Sequence, residues 1–298
     1  MGTHAREEDL GFCVLVSLLA QPTMRWPLED VARLRSLLVP PSAGPYNLSF
    51  GPNIGYHASE PSVGQDAWVD HTLKNSTQLF AVESGAYDGE TQSNTLWLET
   101  QRQWGCLLVE ANPYLADAVL RRHRRCHLLR GALSVTGNAT FVGFRLAGAV
   151  GSLEESQSRR GISWIMAAVR RNKTSPGLGR WGRENSFASG RVVEVPSFPL
   201  PMVLHVLGRH TVDYWSLDVE GSEAALLISP KMGSLRLGVM TIEHNNDVGR
   251  RVRNVEAARA SGLRRVRAGL KDDFFASPSY FEARGWAFPP VQASDTLA

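Results

Sequence analysis

Short apolar runs that end in an acidic residue recur along this chain of 298 residues. The first run, Leu79–Val82, has the length of a buried strand and is followed by Glu83. Comparable runs end at Glu110, at Asp218 and at Glu243. Segments that read as helices lie between these runs. This order of elements predicts an open α/β sheet whose strands alternate with helices.

A glycine turn follows the first run. Gly85 and Gly89 stand on either side of Ala86 and Asp88, and residues 90–99 read as a helix. Glycine lets the backbone come close to a ligand, and a strand, a glycine turn and a helix in this order form a nucleotide pocket beyond the end of the strand. The turn therefore predicts a binding crevice at the carboxyl edge of the sheet.

The second run ends in an acid whose distance from the glycine turn is informative. Glu110 lies 21 residues after Gly89 and ends its strand, where a carboxylate is placed to bond the two hydroxyls of a ribose. The turn lacks the third glycine of a dinucleotide-binding motif, and Glu83 would repel a pyrophosphate. An amino-acid ammonium group suits Glu83 better.

A second dense motif lies in residues 212–223. Asp218 and Glu220 alternate with apolar residues there, so their side chains share one face of the strand. The next strand brings Glu243 and His244 to the same rim if the strands are parallel. Paired acids and a histidine in one crevice suit either proton abstraction from a hydroxyl or binding of a divalent metal ion.

The remaining pattern gives the outline of the chain. We expect an N-terminal extension over 1–64, a domain over 65–284 with a long excursion at 150–190 that covers the active site or is disordered, and a tail over 285–298. Within these ranges the pattern predicts helices over 28–38, 65–74 (capped by Ser62) and 113–122 (capped by Asn112), a strand over 127–133, a hairpin of 141–146 with 191–195, and an antiparallel pair of 263–268 with 273–276.

Composition excludes some classes of protein. A hydrophobic content of 43% and a charged content of 20% are typical of a globular protein, and a net charge of +3 is too small to indicate a nucleic-acid partner. Three cysteines without paired spacing do not form a zinc site. Cys106 and Cys126 begin neighbouring predicted strands, where one bridge would fit, but we expect two buried thiols.

The evidence on the compartment is mixed. Residues 10–20 are apolar but too few to span a bilayer; they fit a signal-peptide core, although the residues before them are acidic, and they also fit a helix packed on the domain. Four sequons favour the secretory pathway, with the domain in the lumen of the endoplasmic reticulum, Golgi or endosomes, over the cytoplasm. They begin at Asn47, Asn75, Asn138 and Asn172.

Five strings of residues together resemble the FkbM-type methyltransferase family: 80–95, 108–113, 132–134, 216–223 and 242–245. The resemblance runs from about residue 65 to residue 280 in the family's order. It implies a Rossmann-like, class I domain that binds S-adenosylmethionine, with a seven-stranded, mostly parallel sheet, one antiparallel strand and helices on both faces. It also implies methylation of a hydroxyl on a sugar or a similar small molecule or glycan.

The resemblance assigns roles to residues of this chain. Glu83, Gly85 and Gly89, in one turn with Ala86 and Asp88, would hold the methionine part of the cofactor. Glu110 would bind the ribose, and Ala132 would lie near the adenine. Asp218 would lie beside the transferred methyl group, with Glu220 and His244 as further candidate proton acceptors.

Residues 38–49 and 61–65 resemble the invertebrate Star/asteroid-like branch of the family. That branch contains membrane-anchored proteins of the secretory pathway that act in trafficking. The resemblance implies an alternative function, a catalytically silent trafficking protein that keeps the methyltransferase fold. Its partner would be a secretory cargo protein, and its N-terminus would associate with a membrane.

Overall fold

The structure, a computed structural model, describes residues 26–49, 64–156 and 188–292, and the isolated residues 163, 166 and 167. Two sheets form its frame. In spatial order, the larger sheet contains β1 (Leu38–Val39), β4 (His127–Arg130), β3 (Gly105–Glu110), β2 (Phe80–Ser84), β9 (Thr211–Leu217), β10 (Arg236–Glu243), β12 (Asp272–Ala276) and β11 (Arg264–Ala268). The smaller sheet contains β5 (Ala132–Leu133), β8 (Val192–Phe198), β6 (Thr140–Arg145) and β7 (Ser152–Leu153).

The centre of the larger sheet is parallel. Strands β4, β3, β2, β9 and β10 pair in parallel, so their carboxyl ends meet at one edge. The expected count of seven strands with one antiparallel strand is wrong. Among the residues that the structure describes, this sheet has eight strands, and three pairings are antiparallel: β1 with β4, β10 with β12 and β11 with β12. The two-residue strand β1 is too short to show a hydrophobic period.

Helices cover both faces of this sheet. One face packs against α1 (Leu28–Leu37), α5 (Leu200–Val206), α6 (Glu223–Leu227) and α7 (Val248–Ala260), and the other against α2 (Gln65–Thr72), α3 (Leu96–Arg102), α4 (Pro113–Arg121) and α8 (Pro278–Glu282). Each face buries its own apolar cluster. Trp215 and Tyr214, neighbours on β9, contribute one large side chain to each of them.

Several predicted elements differ from the structure. The helix expected over 90–99 begins only at Leu96, and the strand expected over 127–133 divides between the two sheets. The hairpin of β6 with β8 and the antiparallel pair of β11 with β12 are present as expected. Trp286, in the expected tail, packs against Tyr280 and Phe281.

Three sequence-based expectations lie outside the described residues: the Ser62 cap, the apolar stretch 10–20 and most of the excursion at 150–190. In the part of the chain that the structure describes, no helix has both the length and the apolar character needed to cross a membrane.

The two cysteines that we expected as thiols form a disulfide. Leu107 on β3 pairs with His127 on β4, so Cys106 and Cys126, one position earlier on each side, face one another. Their Cα atoms are 4.6 Å apart, within the range that a disulfide requires. The strand register therefore brings the cysteines to bonding distance, which spacing along the sequence did not reveal.

Candidate functional site

A cleft opens at the carboxyl ends of β2, β3 and β9. The space between its walls is about 640 Å³, including open solvent at its mouth. Its walls come from the glycine turn, the end of β3, the smaller sheet and the segment after β9. Among the lining residues are Gly85, Tyr87, Glu110, Ala132, Phe144, Leu153, Asp218 and Glu220.

Gly85 joins the two dense motifs of the sequence. Its φ is +88°, and its N–H donates to the carbonyl of Val109 at 3.0 Å. A Cβ at Gly85 would overlap the carbonyl oxygen of Asp218, and the N–H of Asp218 donates to Ser84 at 3.1 Å. Only glycine allows the turn after β2 and the segment after β9 to approach this closely.

The carboxylate of Glu83 is fixed by hydrogen bonds from the turn that follows it. This carboxylate accepts hydrogen bonds from the hydroxyls of Ser93 (2.8 Å) and Thr95 and from the backbone N–H of Asn94 (2.7 Å). The side chain is buried, and burial raises the pKa of its carboxyl, whereas Arg124 and these donors lower it. These bonds explain why residues 90–95 form turns instead of the first turn of the helix.

The side chain of Arg124 stabilises the same turn. This buried guanidinium forms an ion pair with Glu99 (2.5 Å) and donates to the carbonyl of Gly89 and to the hydroxyls of Ser93 and Thr95. The sequence shows Arg124 only as part of a basic run, which gave no signal of this role.

Asp88 has a similar structural function. Its carboxylate accepts from the backbone N–H groups of Glu90 (2.9 Å) and Thr91 (2.7 Å) and forms an ion pair with Arg122 at 3.1 Å. The glycine turn is thus fixed by buried charge pairs before any ligand arrives.

Glu110 ends β3 and lines the cleft. One carboxylate oxygen accepts from the N–H of Tyr87 and the other from the N–H of Asn112, both at 2.8 Å. Burial raises its pKa to about 7, against the lowering effect of these backbone donors. Each carboxylate oxygen can accept a second hydrogen bond, so the group can still receive the two hydroxyls of a ribose.

The smaller sheet forms an apolar wall across the cleft from the glycine turn. Phe144 on β6, Leu153 on β7 and Leu133 on β5 line it. Gly131 precedes this wall, and a Cβ there would lie 2.5 Å from the carbonyl oxygen of Pro196. The close contact of backbone with backbone holds the smaller sheet against the cleft, and the resulting wall suits a flat aromatic ring.

Three carboxylates lie close together where the segment after β9 meets the end of β10. Asp218, Glu220 and Glu243 each place an oxygen within 4.8 Å of the others. Arg250 lies 3.4 Å from both glutamates. Such a group of oxygen ligands has the chemistry to hold a divalent cation, and Arg250 already supplies one positive charge there.

This crowding raises the pKa values of the group. Burial, and then the negative charges of Glu243 and Glu220, raise the pKa of Asp218 well above its usual range. Burial and Glu220 raise the pKa of Glu243 to about 8, against the lowering effect of a hydrogen bond from Asp218. Both carboxyls therefore favour the protonated form. Strong pKa shifts in a cleft are typical of functional sites.

A family model for the methyltransferase FkbM domain matches residues 83–259, which is more than half of the chain. The chain belongs to the FkbM methyltransferase family. A search of curated proteins returned no relative of significant similarity. The match begins at Glu83 and ends in α7, so it includes the glycine turn, Glu110 and the acidic group at Asp218.

In this FkbM domain the cleft brings together about half of the site residues expected from the sequence. Gly85, Glu110, Ala132, Asp218 and Glu220 line it. Glu83, Ala86, Asp88 and Gly89 lie in the turn behind the lining and are buried or bonded to other parts of the chain.

His244 lies apart from the lining. It is buried, its Nδ1 accepts from the N–H of Asn246 at 3.2 Å, and its Nε2 lies 3.8 Å from Asp273. Burial lowers its pKa, although Asp273 raises it. A neutral histidine in this position supports the loop after β10.

Sequence reasoning missed Tyr87, Phe144 and Leu153, which also line the cleft. Tyr87 was visible as part of the glycine motif. Phe144 and Leu153 come from a sheet whose position along the cleft no local pattern shows.

Proposed function

We propose that this FkbM domain is an S-adenosylmethionine-dependent methyltransferase that acts on a hydroxyl group. The supporting observation is that one cleft has the ribose acid, Glu110, in one wall and the acidic group at Asp218 in another, held together at Gly85. This arrangement supports a cofactor site next to a group able to take up a proton.

The lining matches the chemistry of the cofactor. Glu110 offers acceptors for the ribose hydroxyls, and the wall of Leu133, Phe144 and Leu153 offers apolar contact for the adenine. Backbone groups at Gly85 and Tyr87 line the part between Glu110 and Asp218. The cofactor supplies an electrophilic methyl group on a sulfonium. The protein contributes by binding it, excluding water and orienting the acceptor.

Asp218 is the residue that we assign to the proton of the acceptor. When Asp218 is ionised, its raised pKa favours taking up a proton at a carboxylate oxygen. Glu220 and Arg250 influence the pKa values beside Asp218 and Glu243. Glu220 raises the pKa of Asp218, and Arg250 lowers the pKa of Glu220. A hydroxyl that donates to Asp218 is thereby oriented and made more nucleophilic.

The acidic rim also favours an acceptor rich in hydroxyls, such as a sugar. Carboxylates accept hydrogen bonds from several hydroxyls at once, and Ser222 adds a further polar group to the lining. An anionic acceptor would be repelled by the same carboxylates.

The test is isothermal titration calorimetry of the purified chain with S-adenosylmethionine. We expect a single site in the wild type, loss of at least tenfold in affinity for Glu110→Ala, and no change for Glu256→Ala, an exposed acid on α7. Absence of binding in a folded wild type would contradict the proposal and favour the catalytically silent trafficking alternative.

A further inference from the structure

The buried disulfide indicates the kind of compartment in which this chain folds. Cys106 is 1% exposed and Cys126 is 4% exposed, and the bond joins two neighbouring central strands, β3 and β4. Forming it removes two electrons and two protons from the two thiols, which a disulfide oxidant of an oxidising compartment accepts. Such bonds persist in secreted and lumenal proteins and are rare where thiols are kept reduced.

A second and independent observation concerns the sequons. In the described parts of the chain, the asparagines of all three sequons, Asn47, Asn75 and Asn138, are exposed. Asn75 lies in the turn between α2 and β2, and Asn138 lies between β5 and β6. The hydroxyl residue two places after Asn75, Thr77, is also exposed. The fold therefore leaves room for a bulky group at each of these positions.

Two of these asparagines lie away from the cleft. Asn75 is five residues before β2 starts, at the edge opposite the carboxyl ends that form the cleft. Asn47 donates to the carbonyl of Arg121 at 2.9 Å, at the C-terminal end of α4, which lies at the same far edge because the helix runs back along β3. A glycosylated amide keeps one N–H, which is sufficient for this hydrogen bond.

We propose that Asn75 and Asn138, and with them Asn47, are N-glycosylation sites of a chain that folds in the lumen of the secretory pathway. In the modification, a bond forms between C1 of the first sugar and Asn Nδ2. The bond from C1 to the oxygen of a lipid-linked diphosphate breaks, and the released amide proton and the diphosphate leave. This proposal does not depend on methyl transfer, because its evidence lies outside the cleft.

The experiment uses the full chain expressed in cultured eukaryotic cells and treated with an endoglycosidase specific for N-linked glycans. We expect a faster-migrating band after treatment, and the loss of one step of mobility for Asn75→Gln and for Asn138→Gln. Thr77→Ala should have the same effect as Asn75→Gln, whereas Thr77→Ser should keep the glycan. These paired variants separate loss of the sequon from damage to the fold.

Asn246→Gln is the matched control. Asn246 is exposed and has a positive φ (61°), as Asn75 has (53°), but no Ser or Thr stands two places after it. Its mobility should equal that of the wild type. In the same material, Cys106 and Cys126 should react with an alkylating reagent only after reduction. A wild-type chain that shows no endoglycosidase-sensitive shift would overturn the proposal, and free thiols at both cysteines would overturn its argument on the compartment.

Discussion

Two acids, the buried Glu83 and the partly buried Asp218, stand at the ends of adjacent strands of one sheet and have opposite surroundings. Glu83 receives three hydrogen bonds from Ser93, Asn94 and Thr95, and Arg124 lies behind them. Asp218 faces two further carboxylates, Glu220 and Glu243. The fold surrounds the first acid with hydrogen-bond donors and the second with like charges.

This difference separates a structural role from a functional one. A buried charge with a full set of donors stabilises the turn that holds it. A partly buried carboxylate set among like charges costs folding free energy, and such a cost persists at sites where shifted pKa values serve chemistry. The comparison makes Glu83 the support of the glycine turn and is the basis for proposing Asp218 as the reactive group of the cleft.

The largest expected effect comes from removing the supported acid. Glu83→Ala leaves the hydroxyls of Ser93 and Thr95 without their acceptor and removes a negative charge near Arg124. We expect a loss of about 3 to 5 kcal/mol in the free energy of unfolding, measured by urea denaturation. A loss below about 1 kcal/mol would show that the turn does not depend on Glu83.

The next effect tests the contact between the two regions. Gly85→Ala places a Cβ against the carbonyl oxygen of Asp218 and imposes a strained φ, so we expect a loss of about 2 to 3 kcal/mol by thermal unfolding. Gly208→Ala is the control. Its φ is also positive (+67°), but nothing lies within 4 Å of the added Cβ, so only backbone strain remains. Equal losses would mean that the contact with Asp218 contributes nothing.

Removing the crowded acid should act in the opposite direction on stability. Because the folded protein raises the pKa of Asp218, the folded chain holds more protons than the unfolded chain, and stability falls as pH rises above the ordinary pKa of an aspartate. Asp218→Asn should therefore stabilise the chain by about 1 kcal/mol at pH 8, with methyl transfer lost. Asp117→Asn, at an exposed ion pair with Arg130, should change stability little. Destabilisation by Asp218→Asn would contradict the comparison.

The last expected effect, on binding and not on stability, is a pH dependence at Glu110. With a pKa of about 7, its carboxylate gains a proton as pH falls below 7 and no longer accepts two hydroxyls. Affinity for S-adenosylmethionine should fall by up to about tenfold per pH unit below that point. In Glu110→Gln, calorimetry between pH 5.5 and 8 should show a weak affinity for the cofactor. This affinity should no longer depend on pH through residue 110, because the amide does not take up a proton.

Local patterns in the sequence predicted the elements that carry the cleft. The apolar runs mark β2, β3, β9 and β10, and the spacing from Gly89 to Glu110 indicates a residue that does line the cleft. The features that were missed depend on contacts between distant residues. Residues 90–95 have helical character, but the acceptors at Glu83 and Asp88 hold them in turns. The Cys106–Cys126 bond follows from strand register, which the sequence does not state.

The position of the smaller sheet was also not predictable from local sequence patterns. Phe144 lies on a strand without regular alternation and Leu153 on a strand of two residues, so nothing local shows that they line the same cleft as Glu110. Arg124 lay in a basic run that reads as the end of a helix, although the fold buries it between Glu99 and the glycine turn.

The most direct test of the central claim is a crystal structure of the wild-type chain with S-adenosylhomocysteine, the product form of the cofactor. We predict ribose hydroxyls within hydrogen-bond distance of Glu110, the adenine against Phe144 and Leu153, and the sulfur directed towards Asp218. Density for the ligand elsewhere, or a cleft without ligand at saturating concentration, would contradict the assignment of this cleft.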